Sequence, residues 1–393
     1  MTILVSKVIN FKTFLLAVLM CSFSCLSLAQ SSNTKKQVQF VFDKLISVYG
    51  SAKSAPKCLV IKKAKFPVLP ASYSTKNGPT IQIDEALYKV CQTFGKDSLN
   101  ALAIVMSHEL THYYNDHTFC SDYAFANFKS NTPLKSKIGQ ASSSARIEKE
   151  SEADIKGFFY AAAAGYQPNG LQGLLIGKIY TTYKLSDEQK GYPTKKERIA
   201  IANNAEKIAA QLYEYFKNGL IAIENKRYDG AIELFTKANS QVPFRENWNN
   251  IGIANARKAL ILKESSENEK LFPHRFLYPI EIENRSRLSK EITRGDLDDT
   301  SEEMEKLLKD AQKNFEEAIR LDPSFTKGYI NLACVLDLLG DTEGAISKVT
   351  KQLLPKGERE SVDAQRILAI AYFHSNVKEY QEKADAIWKQ LGK

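Results

Sequence analysis

Histidine is scarce in this chain, with five residues in 393. The patterns that mark the commoner classes of site are missing as well. No block of lysine and arginine interleaved with aromatics occurs, so the net charge of +9 reads as a solvated surface and nucleic acid is excluded as a partner. No two cysteines have C-x-x-C spacing, which excludes a cysteine-built zinc site. Beyond the N-terminus no apolar run approaches the roughly 20 residues of a membrane-spanning helix, so none is expected after signal removal. With 44% hydrophobic and 25% charged residues the composition is that of an ordinary globular protein, and the length accommodates two domains.

The N-terminus carries a targeting pattern. Lys7 and Lys12 form a basic region, Phe14 to Cys21 is apolar, and Ser27-Leu28-Ala29 reads as a small-residue cleavage site before Gln30. Residues 1–29 are expected to be a signal peptide, and the protein to be exported, periplasmic or associated with the cell envelope. The competing reading is a lipid anchor on Cys21 or Cys25, for which Met20 and Phe23 are poor lipobox neighbours. Export permits disulfides. Cys334 reads as a buried apolar residue of a repeat helix, leaving any bridge among Cys58, Cys91 and Cys120.

Apolar periodicity predicts a helix from about residue 32 to 50, with Val38, Phe40, Val41, Leu45, Ile46 and Tyr49 on one face and Gly50 ending it. Cys58–Ile61 reads as a short strand, after which Pro67 and Pro70 break the chain. Thr80–Ile83 alternates as a half-buried strand, and Asp84 caps a helix through Val90. A further helix runs from Ser98 to Asn115, its apolar stripe (Leu99, Leu102, Ala103, Met106) facing a core and Val105 at the margin. Residues 120–144 read as a long surface loop. Glu148 to Ala163 is a second strong helix ended by Gly165, another runs from Leu171 to about Leu185, and a long helix follows the Gly191–Thr194 turn.

From about residue 212 a repeat of about 34 residues takes over. Gly219, Ala231, Phe235, Ala238 and Pro243 hold the packing positions of one helix-turn-helix unit. Trp248, Ile251 and Gly252 open the next, whose second helix returns only at Ala311, Phe315, Ala318 and Pro323. A surface excursion at about 264–304 therefore interrupts it. Tyr329, Leu332, Ala333, Gly340 and Ala345 form a third unit, and Ala369, Tyr372 and Trp388 a degenerate fourth. This is the tetratricopeptide (TPR) signature, small residues where helices touch and large ones between them.

The chemistry centres on His108-Glu109-Leu110-Thr111-His112. Histidines four apart on a helix lie one above the other and can reach one metal ion, and Glu109 at the rim of that face can take a proton from a zinc-activated water. This H-E-x-x-H arrangement arises by accident in about one chain in a hundred of this length, and fewer where histidine is scarce. A catalytic zinc takes three protein ligands. The second helix offers Glu148, Glu150, Glu152 and Asp154. Glu150 and Asp154 share a face, and Ala153 and Gly157 on the neighbouring stripe would let the two helices approach. Glu150 as third ligand with Asp154 behind a ligand imidazole is the arrangement drawn, Glu148 and Glu152 being left to solvent. His117 reads as a group near the site, behind the ligands or at the helix end. His274 and His374 receive no role.

Three segments carry a resemblance: Met106 to His112 with His117 following; Glu150-Ser151-Glu152-Ala153-Asp154-Ile155-Lys156-Gly157; and Ala163-Ala164-Gly165-Tyr166-Gln167-Pro168. Over about residues 55–205 the chain resembles the zinc metallopeptidase family of the CAAX prenyl endopeptidases, HtpX proteases and BepA-like proteases, the last of which also carry C-terminal TPR repeats. The resemblance implies one zinc ion per chain bound by His108, His112 and Glu150, with Glu109 as general base. The family's His-Pro before an Arg-Ile pair is Tyr192-Pro193 here, before Arg198-Ile199. Tyr192 reads either as a donor to the oxyanion or as a packing residue.

The expected architecture is mostly α (α+β). Residues 30–210 form a zincin-like metallopeptidase domain with a small sheet, and residues 211–393 an all-α TPR superhelical array that recruits a protein partner or substrate. The expected activity is zinc-dependent endopeptidase cleavage of protein or peptide substrates, the peptide lying extended beside Thr80–Ile83. The rival reading is a TPR-based periplasmic chaperone or adaptor with a weak or resting protease site.

Overall fold

The computed structural model describes residues 33–62, 69–75, 78–117, 143–187, 193–280, 301–356 and 361–392. The N-terminal targeting segment, Cys120, Tyr192 and nearly all of the 120–144 stretch lie outside them. The chain divides into two compact units, Met1–Tyr49 with Ala55–Ala210, and Gly50–Ser54 with Gln211–Lys393. Described residues are mostly helical, with one small sheet of three strands.

In the first unit, helix α1 (33–49) leads to strands β1 (Lys57–Ile61), β2 (Ala71–Ser74) and β3 (Thr80–Asp84), then helices α2 (Glu85–Gln92) and α3 (Ser98–Tyr114). Helices α4 (Ser143–Ala163) and α5 (Gln172–Tyr183) follow, and α6 (Lys195–Glu224) carries the chain across the unit boundary. Strand β2 has no strong alternation and follows two prolines, so the sequence pattern passes over it. The sheet order is β1-β3-β2, with β1 parallel and β2 antiparallel to β3. Thr80–Ile83 is therefore central and hydrogen-bonded on both sides, so a peptide cannot pair with it, contrary to expectation.

Helix α3 is the core of this unit. It is not amphipathic as its stripe suggested: every residue from Ala101 to Tyr113 is buried, Val105 included, while Leu99 is only half-buried. A helix packed on all faces by α4, β2, β3, α2 and α5 has no solvent side to show. Its polar groups must then find partners inside. Tyr49 of α1 supplies them, its hydroxyl lying 2.6 Å from both the Ser107 carbonyl and Thr111 Oγ1. Burial raises the Tyr49 phenol well above its ordinary pKa, so it stays a donor. Asp84 precedes α2 as expected but does not cap it with its side chain. Its carboxylate accepts from the buried Tyr183 hydroxyl at 2.6 Å.

The second unit consists of helix pairs. The last part of α6 meets α7 (Tyr228–Asn239) through Gly219, Phe216 and Phe235, and α8 (Arg245–Leu262) pairs with α10 (Ser301–Leu321) across the insertion, which carries the short helix α9 (Glu267–Leu271). Helices α11 (Thr326–Leu338) and α12 (Thr342–Lys348) form the third pair, α13 (Val362–His374) and α14 (Lys378–Gln390) the fourth. Equivalent positions do equivalent work. A Cβ on Gly219 would lie 2.7 Å from the Phe235 ring, and one on Gly252 2.7 Å from Phe315. In these first two pairs a glycine on the first helix admits a phenylalanine from the second. Asp322, after α10, accepts from Ser51 and Ser324 and pairs with Arg245, tying Gly50–Ser54 to this unit. Cys58, Cys91 and Cys334 are free thiols, and Cys334 is buried as expected. The insertion is not a plain surface excursion, since Phe276, Tyr278 and Ile280 are buried.

Candidate metal centre

Helices α3 and α4 cross where their side chains are smallest. Gly157 faces the backbone of His108, and a Cβ there would fall 2.8 Å from the His108 nitrogen. The approach expected from Ala153 and Gly157 is thus backbone against side-chain hydrogen. It brings His108, His112 and Glu150 together, their candidate ligand atoms all within 4.8 Å of one another. They are 0%, 1% and 4% exposed, and the adjacent Glu109 is fully buried.

The donor separations test whether the set suits zinc. His112 Nε2 lies 2.9 Å from His108 Nε2, and Glu150 Oε2 lies 3.2 Å from His108 Nε2 and 3.6 Å from His112 Nε2. Four donors on a tetrahedron with bonds of about 2.0–2.1 Å stand about 3.3 Å apart. The three separations come close to the edges of that tetrahedron, so His108, His112 and Glu150 are a donor set that would suit a zinc ion.

What stands behind each imidazole fixes which nitrogen points inward. His108 Nδ1 lies 2.9 Å from Asp154 Oδ1, a carboxylate that can only accept, so Nδ1 carries the proton and Nε2 presents its lone pair. Asp154 is held by Arg198 of α6, whose Nη1 and Nη2 donate to Oδ2 and Oδ1 at 2.6 and 3.0 Å in a fully buried fork. His112 has a different support. Its Nδ1 lies 2.9 Å from His117 Nδ1, and His117 Nε2 lies 3.3 Å from Glu152. Donation from His117 to Glu152 and from His112 to His117 completes one consistent tautomer set, leaving both inner nitrogens as acceptors around one point beside a carboxylate.

The end of α3 explains how His117 reaches this place. Asp116 takes a left-handed conformation (φ 55°), and the His117 amide donates to the His112 carbonyl at 3.0 Å. This is the reversed turn that usually employs glycine, and aspartate is among the few other residues that tolerate it. It folds His117 back onto the last turn of the helix.

The electrostatics favour positive charge at the centre. Burial opposes charge on His108, but Asp154 and Glu150 outweigh it and push its pKa up to about 10. Burial holds His112 down to about 4, with Glu150 pulling upward and His108 adding to the depression. Glu150 and Asp154 are both held below their ordinary values despite burial, Glu150 by the two histidines and Asp154 chiefly by Arg198. Glu152 is lowered to about 2, first by its contact with His117. A proton on His108 and a metal ion compete for the same lone pair.

The geometry therefore unites His108, His112, Glu150 and Asp154 as the sequence pattern suggested, with Glu109 beside them. His117 stands directly behind His112. Glu148 is exposed as expected, whereas Glu152 is half-buried and bonds His117, Asn115 and Lys156. Arg198 emerges as the anchor of Asp154, a role no local spacing reveals across the intervening helices. A groove of about 800 Å³ elsewhere in the unit is lined by Val90, Gly173, Leu174, Gly177, Lys178 and Asn203 among others, and none of the three candidate ligands lines it.

No protein-family model and no curated protein matches the chain. A solved structure of a monomeric mutant of IFIT1 with Gppp-AAAA is similar to it at 13% identity and a TM-score of 0.32, over 78% of this chain and 53% of that one. The chain thus spans about half the length of that protein.

Proposed function

We propose that the chain is an exported zinc-dependent metalloendopeptidase whose repeat unit, a TPR array, recruits a protein partner or substrate. The observation that carries this reading is the buried His108–His112–Glu150 triangle with tetrahedral spacing and Glu109 next to it. A bound zinc ion would polarise the scissile carbonyl and lower the pKa of water toward about 7. Glu109, adjacent in sequence to one ligand, takes the proton of the attacking water and passes it to the leaving amine. Asp154 and His117 keep the two imidazoles turned inward, and Arg198 and Glu152 hold those two in turn. The low histidine content makes a chance H-E-x-x-H less frequent, and the repeat signature supports the recruiting role. Periplasmic or envelope localisation rests on the N-terminal pattern, and a mature N-terminus at Gln30 by mass spectrometry would bear it out.

The experiment is Glu109→Gln. The variant should bind one zinc per chain, measured by metal analysis, and lose cleavage of an unfolded protein such as casein by at least about a hundredfold. Equal cleavage by wild type and variant would remove the hydrolase reading. One observation favours a second reading, the near-complete burial of all three ligands and of Glu109. In it the protein is a TPR-based chaperone or adaptor and the site rests. It then protects client proteins from aggregation equally well with and without Glu109.

A further inference from the structure

The positive charge of the chain is not spread evenly. Residues 33–65 contain eight lysines and one aspartate, and Lys7 and Lys12 lie in the targeting segment. The other 44 basic residues are matched by 44 acidic ones, so the chain beyond residue 65 is neutral as a whole. Once the targeting segment is set aside, the entire net charge therefore sits in residues 33–65. A surface that serves only solubility intersperses both signs.

Four of these lysines are exposed on or beside α1 and β1. Helix α1 buries Val38, Val41 and Leu45 completely and turns Lys35, Lys36 and Phe40 outward, although periodicity placed Phe40 on the buried face. Lys36 and Phe40 are four residues apart and share a face. On β1 the alternation sends Lys57 and Leu59 to the same exposed side, and Lys62 is exposed just past the strand. This strand is an edge of the sheet. The two elements are neighbours: burial, and after it the Asp43 carboxylate of α1, push the Cys58 thiol of β1 up to about 12. The lysine and arginine ion pairs described in the first unit join Lys156 to Glu152, Lys195 to Asp187 and Arg198 to Asp154, and none takes up Lys35, Lys36, Lys57 or Lys62. Phe40 and Leu59 are 54% and 47% exposed, and among the described residues of that unit Leu174 is the one other large apolar side chain so exposed.

We propose that α1 and the β1 edge make a peripheral contact with an anionic lipid bilayer. The lysines meet acidic headgroups, and Phe40 and Leu59 enter the boundary between headgroups and acyl chains. A lipid surface is favoured over an acidic protein because protein interfaces are depleted in lysine and gather their apolar side chains into a core. Here lysines predominate and the two apolar side chains stand singly among them. No helix of the described residues is long and apolar enough to cross a membrane, so the contact is with the surface. This goes beyond the hydrolase reading and does not depend on it.

The test is co-sedimentation of the full chain with vesicles of phosphatidylcholine alone, and of phosphatidylcholine and phosphatidylglycerol in equal parts. Each lysine at such a surface contributes about fivefold. The chain should therefore partition onto the anionic vesicles at least about a hundredfold better than onto the neutral ones, and salt should erode the preference. Lys35→Gln with Lys36→Gln should lose about 20-fold on the anionic vesicles, and so should Lys57→Gln with Lys62→Gln. Phe40→Ser and Leu59→Ser should each lose about tenfold. All six side chains are exposed, so the variants should keep their circular dichroism, zinc content and casein cleavage. Equal partition onto the two kinds of vesicle overturns the proposal, as does undiminished partition of either lysine pair variant. Soluble polyglutamate is the last arm. If it binds the chain as tightly as the anionic vesicles do, whether or not Phe40 is replaced, the partner is an acidic protein and the lipid assignment falls.

Discussion

Replacing Gly157 by alanine should loosen the metal centre without removing any ligand. The added Cβ would fall 2.8 Å from the His108 nitrogen and 2.9 Å from its Cα, both main-chain atoms in the middle of a buried helix. Ordinary contacts lie at about 3.5 Å, so α3 and α4 must part locally by about 0.6 Å. Asp154 and Glu150 ride on α4 one and two turns away and move with it. The donor triangle matches a zinc tetrahedron to within about half an ångström, so a displacement of that size spoils it. Two energies oppose each other in the metal-free protein. Overpacking costs about 1–3 kcal/mol, while alanine in place of a mid-helix glycine stabilises by about 1 kcal/mol. The net loss is then about 0–2 kcal/mol, whereas on the proposed zinc reading the affinity for that ion falls by about 10- to 100-fold, as when the support of a ligand is lost. Gly177 on α5 is the control, because a Cβ there meets nothing within 4 Å. Gly177→Ala should stabilise the chain by about 1 kcal/mol and leave zinc binding alone. Zinc affinity is read by competition with a chromophoric chelator, and stability by urea unfolding in excess chelator. If Gly157→Ala bound zinc within twofold of wild type and gained stability as Gly177→Ala does, the helix contact would not set the site's geometry.

Three further outcomes are expected. Arg198→Met leaves the buried Asp154 carboxylate without its counter-ion and should cost about 3–5 kcal/mol in urea unfolding. Arg198→Lys should recover only part of this, since an ammonium cannot form the two-pronged contact. Gly252→Ala drives a methyl into the Phe315 ring and should destabilise by about 1–3 kcal/mol, with Phe315→Leu in the same chain restoring much of the loss in thermal melts. Asp322 has its pKa held below the ordinary 3.8, burial opposing and Arg245, Ser324 and Ser51 prevailing. Its contribution is therefore present above that value and is lost as pH falls through the lower folded-state pKa. Asp322→Asn should destabilise the chain at neutral pH and flatten its acid unfolding below about pH 4, followed by circular dichroism.

Much of the site was legible because its spacing is local. His108 and His112 are one helical turn apart, and Glu150 and Asp154 are another such pair, so each pair declares a face before any fold is known. The small residues at 153 and 157 signalled a close crossing for the same reason. Glu152 was misjudged because a glutamate on a charged face is usually solvated, and only the turn at Asp116 carries His117 to meet it. The apolar stripe of α3 was misjudged because periodicity measures a contrast between faces, and a helix buried all round has none. Strand β2 escaped because its pairing with β3 is supplied by a partner, not by its own alternation.

By itself the sequence determined the composition of the site and the repeat positions, because helical spacing is a property of the chain alone. It also named Gly219 and Phe235, and Gly252 and Phe315, among the packing positions of two repeat units, while their contact with one another is a fact of the fold. Only the tertiary structure decided that Thr80–Ile83 is a central strand, that Arg198 grips Asp154, and that Tyr278 reaches Asp337. Those facts depend on which distant segments share a space. That sharing is settled by the burial and hydrogen-bonding demands of the whole fold, on which no local pattern reports.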